Sequence, residues 1–244
     1  MMLSELRRHL LSELKDTDFL DKTYFAGGCV RDELLGRQVA HLDADLVVEL
    51  PQGGIKLARF LEQHLCLKDI RLHPTFGTAS ASWNDVQLDF AMTRSEIYNP
   101  GSRHPRVKFA PLKFDFQRRD FTINALYKNL RDGEVSDPSG WGLIDLNQRI
   151  IRCLKNPISS FQEDPLRMLR ALRFAVVLDL VIEPETWNAL CDNASLLQSL
   201  SSNRCQSEIA KLTHSGVSGS DPRWQNLLHS SGLDIHLAHT LPKF

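Results

Sequence analysis

The sequence predicts an α+β protein: a mixed β-sheet flanked by helices over residues 1–155, then an all-helical region over residues 156–244. Three observations lead there. Up to residue 92, short β-prone runs alternate with segments of helical periodicity. Two of those runs are separated by Asn84-Asp85, a hairpin turn signal. From Glu163 onward the apolar pattern is helical almost throughout, which sets the boundary near residue 155.

Composition narrows the class. With 244 residues, 42% apolar positions and a net charge of -1, the chain is not disordered. A chain of this size buries about 70–75% of its unfolded surface, so it folds without a disulfide or metal staple. Near-neutral charge counts against a dedicated nucleic-acid binder, an expectation that the motifs below contradict. Five cysteines (Cys29, Cys66, Cys153, Cys191, Cys205) lie far apart with no C-x-x-C spacing, which is neither a disulfide framework nor a zinc site and fits a reducing cytosol. Residues 1–16 intersperse charge with leucine, unlike a signal peptide. A membrane helix needs about 18 apolar residues; the longest run, 174–182, is interrupted by Asp179. The expected location is the cytoplasm, with no membrane partner.

The elements follow in order. Leu3, Leu6, Leu10 and Leu14 recur at helical spacing. Residues 23–26 form a strand ended by Gly27-Gly28, and 30–35 a helix. Residues 45–50 read as a strand, and 55–67 as a helix with Ile55, Ala58, Leu61 and Leu65 on one side. Residues 78–83 and 86–92 are the two hairpin strands. Residues 94–113, with prolines around a basic stretch that includes Arg103, Arg106 and Lys108, read as an irregular loop. Residues 118–130 read as a helix, 132–142 as turns, and 143–154 as a strand pair or extended connection.

Four segments carry residues suited to chemistry. In Gly27-Gly28-Cys29-Val30-Arg31-Asp32, glycines between strand and helix let a backbone approach a phosphate, and Arg31 offers a charged fork; such a pair is more often only a turn. Asp43 and Asp45, two apart at the head of a strand, share a face. Held together they repel unless a cation such as Mg²⁺ lies between them, although an Asp-x-Asp pair is commonly a solvated strand end. Asp89 lies within the apolar run 86–91, where a buried carboxylate is costly unless paired or metal-bound. Three such aspartates on adjacent strands suit a two-metal phosphoryl-transfer centre.

The third segment places Arg119, Asp120 and Asn124 at helical spacings, with donors and acceptors for a phosphate and a ribose; by itself it reads better as an ordinary polar helix face. In the fourth, Asp164 before Pro165 starts a helix with Leu166, Leu169, Leu172 and Val176 on its buried stripe, while Arg167, Arg170 and Arg173 recur every three residues. Asp164 and Arg167 offer an acceptor and donor matching the base edge of C or A, which U and G do not present; the plainer reading is a cap and a helix salt bridge.

The order and content of these segments say more than each does singly. GGCVRDELLGR, HLDADLVVE, RRDFTINAL, DPSGWGLIDLNQRIIR and FQEDPLRMLRALRFA, spread over about residues 20–215, resemble the class II tRNA nucleotidyltransferase (CCA-adding enzyme) and bacterial poly(A) polymerase family of the polymerase-β-type superfamily. SSNRCQSEIAKL resembles that family's neck helix through Arg204, Glu208 and Lys211, with Asn203 standing where glutamate is usual.

The resemblance implies a nucleotidyltransferase head over 1–155 and a helical neck over 156–244. It implies Asp43, Asp45 and Asp89 as catalytic, Mg²⁺-binding carboxylates, with two metals. Gly27, Gly28, Arg31 and Arg119 would bind the triphosphate, Asp120 and Asn124 would lie near the ribose, and Asp164 and Arg167 would select C or A with support from Arg170 and Arg173. Residues 93–111 would be the loop that switches between C and A addition. The implied substrates are CTP, ATP and the tRNA 3′ end. The family continues past the neck into body and tail domains, so residues 224–244 read as the end of the neck. The rival readings are a poly(A) polymerase and a truncated paralogue that binds nucleotide or RNA without catalysis.

Overall fold

The computed structural model describes residues 1–97 and 106–237. The expectation for Arg103 lies outside those residues. The chain forms two compact units: residues 1–119 with 123–143, and residues 120–122 with the chain from 144 onward. Residues 120–122 group with the second unit because backbone pairing ties Phe121 to Cys153 and Thr122 to Arg152.

In the first unit, α1 (Leu3–Leu14) buries all four of its periodic leucines. The strands are β1 (Thr23–Ala26), β2 (Asp43–Val48), β3 (Lys68–His73), β4 (Thr78–Trp83), β5 (Val86–Met92), β6 (Arg94–Ile97), β7 (Arg106–Phe109), β8 (Tyr127–Asn129) and β9 (Val135–Ser136). Seven of them form one sheet in the order β3-β4-β5-β2-β1-β8-β9, with β2 and β5 parallel and every other pair antiparallel. The sheet is therefore mixed, as expected. Asn84 and Asp85 both take positive φ in the β4–β5 turn, which matches the twist of the flanking strands.

Helix α2 (Gly28–Leu34) follows β1, and α3 (Gly53–His64) packs on β2, β4 and β5 with Leu57, Ala58 and Leu61 buried. A Cβ added at Gly54 would fall 2.8 Å from the Ala91 backbone, so α3 seats directly on β5. Strand β2 alternates: Ala44 and Leu46 are buried, Asp43 and Asp45 exposed. In β5, Val86, Leu88 and Phe90 are buried while Gln87 and Asp89 are exposed. One face of the sheet is core; the other carries a smaller apolar cluster of Ala26, Val47 and Tyr127 beside the exposed Asp43, Asp45 and Asp89. Asp89 therefore does not lie within a buried strand; alternation puts it on the open face despite its apolar neighbours.

Three expectations need correction here, and one strand was not anticipated. Residues 68–73 form β3, whose mostly polar sequence hides an edge strand. Residues 94–113 are not an irregular loop at their described ends: β6 and β7 pair from Arg94↔Phe109 to Ile97↔Arg106, and α4 (Leu112–Asp115) follows. Residues 118–130 are not a helix. Two short 3-10 turns, 116–118 and 122–124, flank an extended Arg119, and the chain then enters β8. Side-chain bonds outcompete helical ones, since the Asp120 carboxylate accepts from the Phe121 amide and the Thr122 hydroxyl donates to Asp145. Finally, 143–154 is mostly helix: α5 (Gly142–Gln148) precedes a short strand, β10 (Ile150–Ile151).

The second unit is helical apart from β10, which pairs in parallel with β11 (Val181–Ile182). Its helices are α6 (Pro157–Glu163), α7 (Leu166–Val177), α8 (Pro184–Asp192), α9 (Ser202–His214), α10 (Pro222–Ser230) and α11 (Leu233–Leu237). Helix α7 is buried on more than the expected stripe: Met168, Leu169, Ala171, Leu172, Phe174 and Ala175 are all in the core. Among the described residues, no helix is long and apolar enough to cross a membrane.

Candidate active site

Pairing across the sheet sets the site. Asp45 of β2 faces Asp89 of β5, and Asp89 in turn faces Ser80 of β4. Asp43 precedes Asp45 by two and shares its open face. The three expected carboxylates are thus presented on one side of two parallel strands. A cavity of about 340 Å³ opens over this face, lined by Asp45, Asp89 and Ser80 and by the cations Arg94, Arg118 and Arg119.

The carboxylates feel one another. Asp45 is held above the ordinary carboxylate range first by desolvation within this ring of protein atoms; Arg119 opposes that, and Asp89 and Asp43 add to it. Asp89 is raised in the same way by desolvation and by Asp43, against a bond from Gln87. Oxygen donors that repel each other suit a hard divalent cation. As the side chains are placed, no three His, Cys, Asp or Glu among the described residues already converge as a ligand set. The donor chemistry fits Mg²⁺, and the final convergence would come with the ion.

Four more expected residues join Asp45 here. Gly27 has φ +70°, and a Cβ on it would lie 3.1 Å from both Arg119 Nη1 and Asp45 Oδ2, so only glycine leaves this approach open. The Arg31 Nη1 donates to Asn124 Oδ1 at 2.5 Å, and Arg31 also forks onto the Asp32 carboxylate at 2.9 and 3.0 Å. The Asn124 carbonyl accepts from Arg119 Nη1 at 3.2 Å. Gly27, Arg31, Arg119, Asn124 and Asp45 form one connected patch. Gly28 starts α2 beside it, where an added Cβ would lie 3.5 Å from Arg31 Nη2. Burial and Asp45 push the neighbouring Cys29 thiol up to about 12, which keeps it neutral.

Behind Arg119 stands a network that the motifs did not single out. Asp115 is fully buried, and its carboxylate accepts from Arg118 Nε at 2.9 Å, from the Tyr127 hydroxyl at 2.9 Å and from the Arg94 amide at 2.9 Å. Arg119 Nε donates to the Tyr127 oxygen at 2.9 Å, with its guanidinium 4.9 Å from the Tyr127 ring centre. Burial pushes Asp115 up, yet Arg118 and Arg119 outweigh it and hold the carboxyl below the usual range. A carboxylate three and four residues before adjacent arginines was the available signal.

The second unit carries the other expected residues. Asp120 accepts from Arg170 Nε at 2.7 Å. Asp164 accepts from the Leu166 amide at 3.2 Å, as a helix start should, and from Arg204 Nη2 at 3.0 Å. Arg167 is only 6% exposed, donating to the Ser160 hydroxyl at 2.8 Å and to Glu163 at 3.4 Å. Arg173 is buried as well, donating to Glu208 Oε1 at 2.6 Å, and Arg170 stands 3.8 Å from the other Glu208 oxygen. The arginine ladder of α7 does not project as one polar side; it is held piecewise by Glu163, Asp120 and Glu208. Each of Asp164 and Arg167 has its own partners.

The chain is similar to known proteins in sequence and fold. Residues 23–152 match the poly(A) polymerase head-domain family, and residues 179–237 match the family described as a probable RNA and SrmB-binding site of polymerase A. The chain is 42% identical over 195 residues to an A-adding tRNA nucleotidyltransferase of Aquifex aeolicus, covering 77% of this chain and 22% of that protein. It is 36% identical over 210 residues to a CCA-adding enzyme of Levilactobacillus brevis, covering 85% of this chain and 50% of the relative. The Bacillus stearothermophilus CCA-adding enzyme in complex with CTP superposes with a TM-score of 0.74 at 28% identity, over 97% of this chain and 54% of that one. The chain thus spans about half or less of the length of these relatives. On the match across its sheet and the likeness of its fold, the chain belongs to the tRNA nucleotidyltransferase and poly(A) polymerase family.

Proposed function

We propose that the protein is a template-independent RNA 3′-terminal nucleotidyltransferase, adding C, A or both from CTP and ATP to the 3′ end of tRNA. The observation that carries this reading is Asp45 facing Asp89 on the open side of the sheet, with Arg118 and Arg119 in the same cavity. In this reading residues 1–155 are the catalytic head, residues 156–244 are the neck, and the enzyme works in the cytoplasm.

Asp43, Asp45 and Asp89 would hold Mg²⁺, which when bound lowers the pKa of the RNA 3′-hydroxyl and neutralises triphosphate charge. The 3′-oxygen bonds to the α-phosphorus, the bond from that phosphorus to the β-phosphate oxygen breaks, and pyrophosphate leaves. The protein's work is positioning and electrostatics. Gly27 and Gly28 let the backbone approach the phosphates, and Arg31 and Arg119 hold their oxygens. Asp120 and Asn124 serve the ribose. Asp164 accepts from the exocyclic amine of C or A and Arg167 donates to the adjacent ring acceptor, with Arg170 and Arg173 in support.

The test offers labelled CTP, ATP, UTP or GTP with Mg²⁺ to tRNA ending at the discriminator base, at C, or at CC. Incorporation of C on the first two, of A on the third, or of both, supports the reading and names the specificity. Long A tracts on unrelated RNA would make it a poly(A) polymerase. A folded protein that binds CTP or ATP, yet incorporates nothing and is indifferent to Asp43→Ala, would be a non-catalytic paralogue.

A further inference from the structure

Arg119 is the cation nearest the glycine approach, and its place is not set by its own backbone. Its Nε donates to the Tyr127 hydroxyl at 2.9 Å and lies 3.6 Å from the Asp115 carboxylate beyond it. That hydroxyl is committed in turn, because it donates to Asp115 Oδ2 at 2.9 Å. The same carboxylate receives Arg118 through Nε at 2.9 Å and Nη2 at 3.3 Å. It also receives the main-chain amide of Arg94, the first residue of the β6–β7 hairpin. One buried acidic group therefore gathers Arg118, Arg119 and the base of the hairpin. Tyr127 and Asp115 are fully buried, so neither is offered to a substrate.

We propose that Asp115 and Tyr127 are positioning residues, which set the guanidinium groups of Arg118 and Arg119 over the carboxylate face and tie them to the hairpin. This rests on the nucleotidyltransferase reading for its consequence, though not for its geometry. A buried carboxylate alone would repel a triphosphate; covered by two arginines and a tyrosine hydroxyl, it instead fixes positive charge where phosphate oxygens would lie.

Tyr127→Phe in the full chain tests this, since it removes one oxygen and keeps the ring beside Arg119. We expect a folded protein, shown by its thermal transition. The affinity for CTP or ATP with Mg²⁺, read by calorimetry, should fall about tenfold, the worth of one charge-assisted hydrogen bond. In an Arg119→Lys background, which keeps a charge but has no Nε, the same change should cost little more. The Arg119 Nε–H signal in nitrogen-15 spectra should move and exchange faster with water in Tyr127→Phe. An unmoved signal overturns the proposal, as does an equal loss of affinity in both backgrounds. A wild type that binds neither nucleotide sinks the functional reading instead, and the spectra still decide whether Tyr127 holds Arg119.

Discussion

Single carboxylates here do opposite jobs according to what surrounds them. Asp45 and Asp89 face each other on an open surface and are held above the usual range by desolvation and mutual charge. Glu208 is buried too, but Arg173 and Arg170 outweigh its burial and depress it. Two predictions follow at this scale. Asp45→Asn should keep the fold and cut nucleotide incorporation by about a thousandfold, since a metal ligand contributes several kcal/mol to the transition state; single-turnover assays measure it. For Glu208, a depressed folded pKa means stability that is present above its unfolded value, about 4.3, and lost as pH falls through the lower folded value. Denaturant melts should show Glu208→Gln about 2 kcal/mol less stable at pH 7, with a shallower loss on acidification than wild type. Some acid slope should survive in the variant, because Asp115 is depressed in the same sense.

At the scale of elements, local pattern was most reliable where one face is apolar and the period is clean. The α1 leucines, the β4–β5 hairpin with its Asn84-Asp85 turn and the start of α7 at Asp164 were all legible from residue spacing. Residues 118–130 were not, because their conformation is decided by partners distant in sequence: Thr122 by Asp145, Arg119 by Tyr127 and Asp115. The hairpin ends at 94–97 and 106–109 were missed because edge strands need no alternating apolar face. In α7, Arg167 and Arg173 are buried by pairing rather than solvated, and Arg167 is gripped by Ser160 and Glu163 of α6. In the proposed base-selecting role, an arginine held this firmly should govern choice rather than metal binding. Arg167→Ala should therefore narrow the preference for CTP and ATP over UTP and GTP by about tenfold or more, and leave the Mg²⁺ dependence unchanged; competition assays read the first and metal titration the second. Equal discrimination in the variant would refute the base-selecting assignment.

For the whole molecule, the core does not depend on the proposed metal. The four leucines of α1, the inner face of the sheet and the interior of α7 are closed by apolar packing, and the three aspartates stand on the open face. Chelation with EDTA should therefore abolish incorporation while leaving the thermal midpoint in place, and added Mg²⁺ should restore it; a large drop in the midpoint would show that the ion is structural instead. The arrangement of the chemistry was partly readable beforehand. Motif order, through the family resemblance it carries, singled out Asp43, Asp45, Asp89, Gly27, Arg31 and Arg119 as candidates. What the linear pattern cannot carry is register and burial. That Asp45 faces Asp89 depends on β2 lying parallel beside β5, two strands joined through α3 and a hairpin. That Asp89 is open rather than buried depends on which face α3 covers. The network of Asp115, Tyr127 and Arg94 around the two arginines spans three separate segments, so only their meeting in the folded chain makes one carboxylate the anchor of all of them.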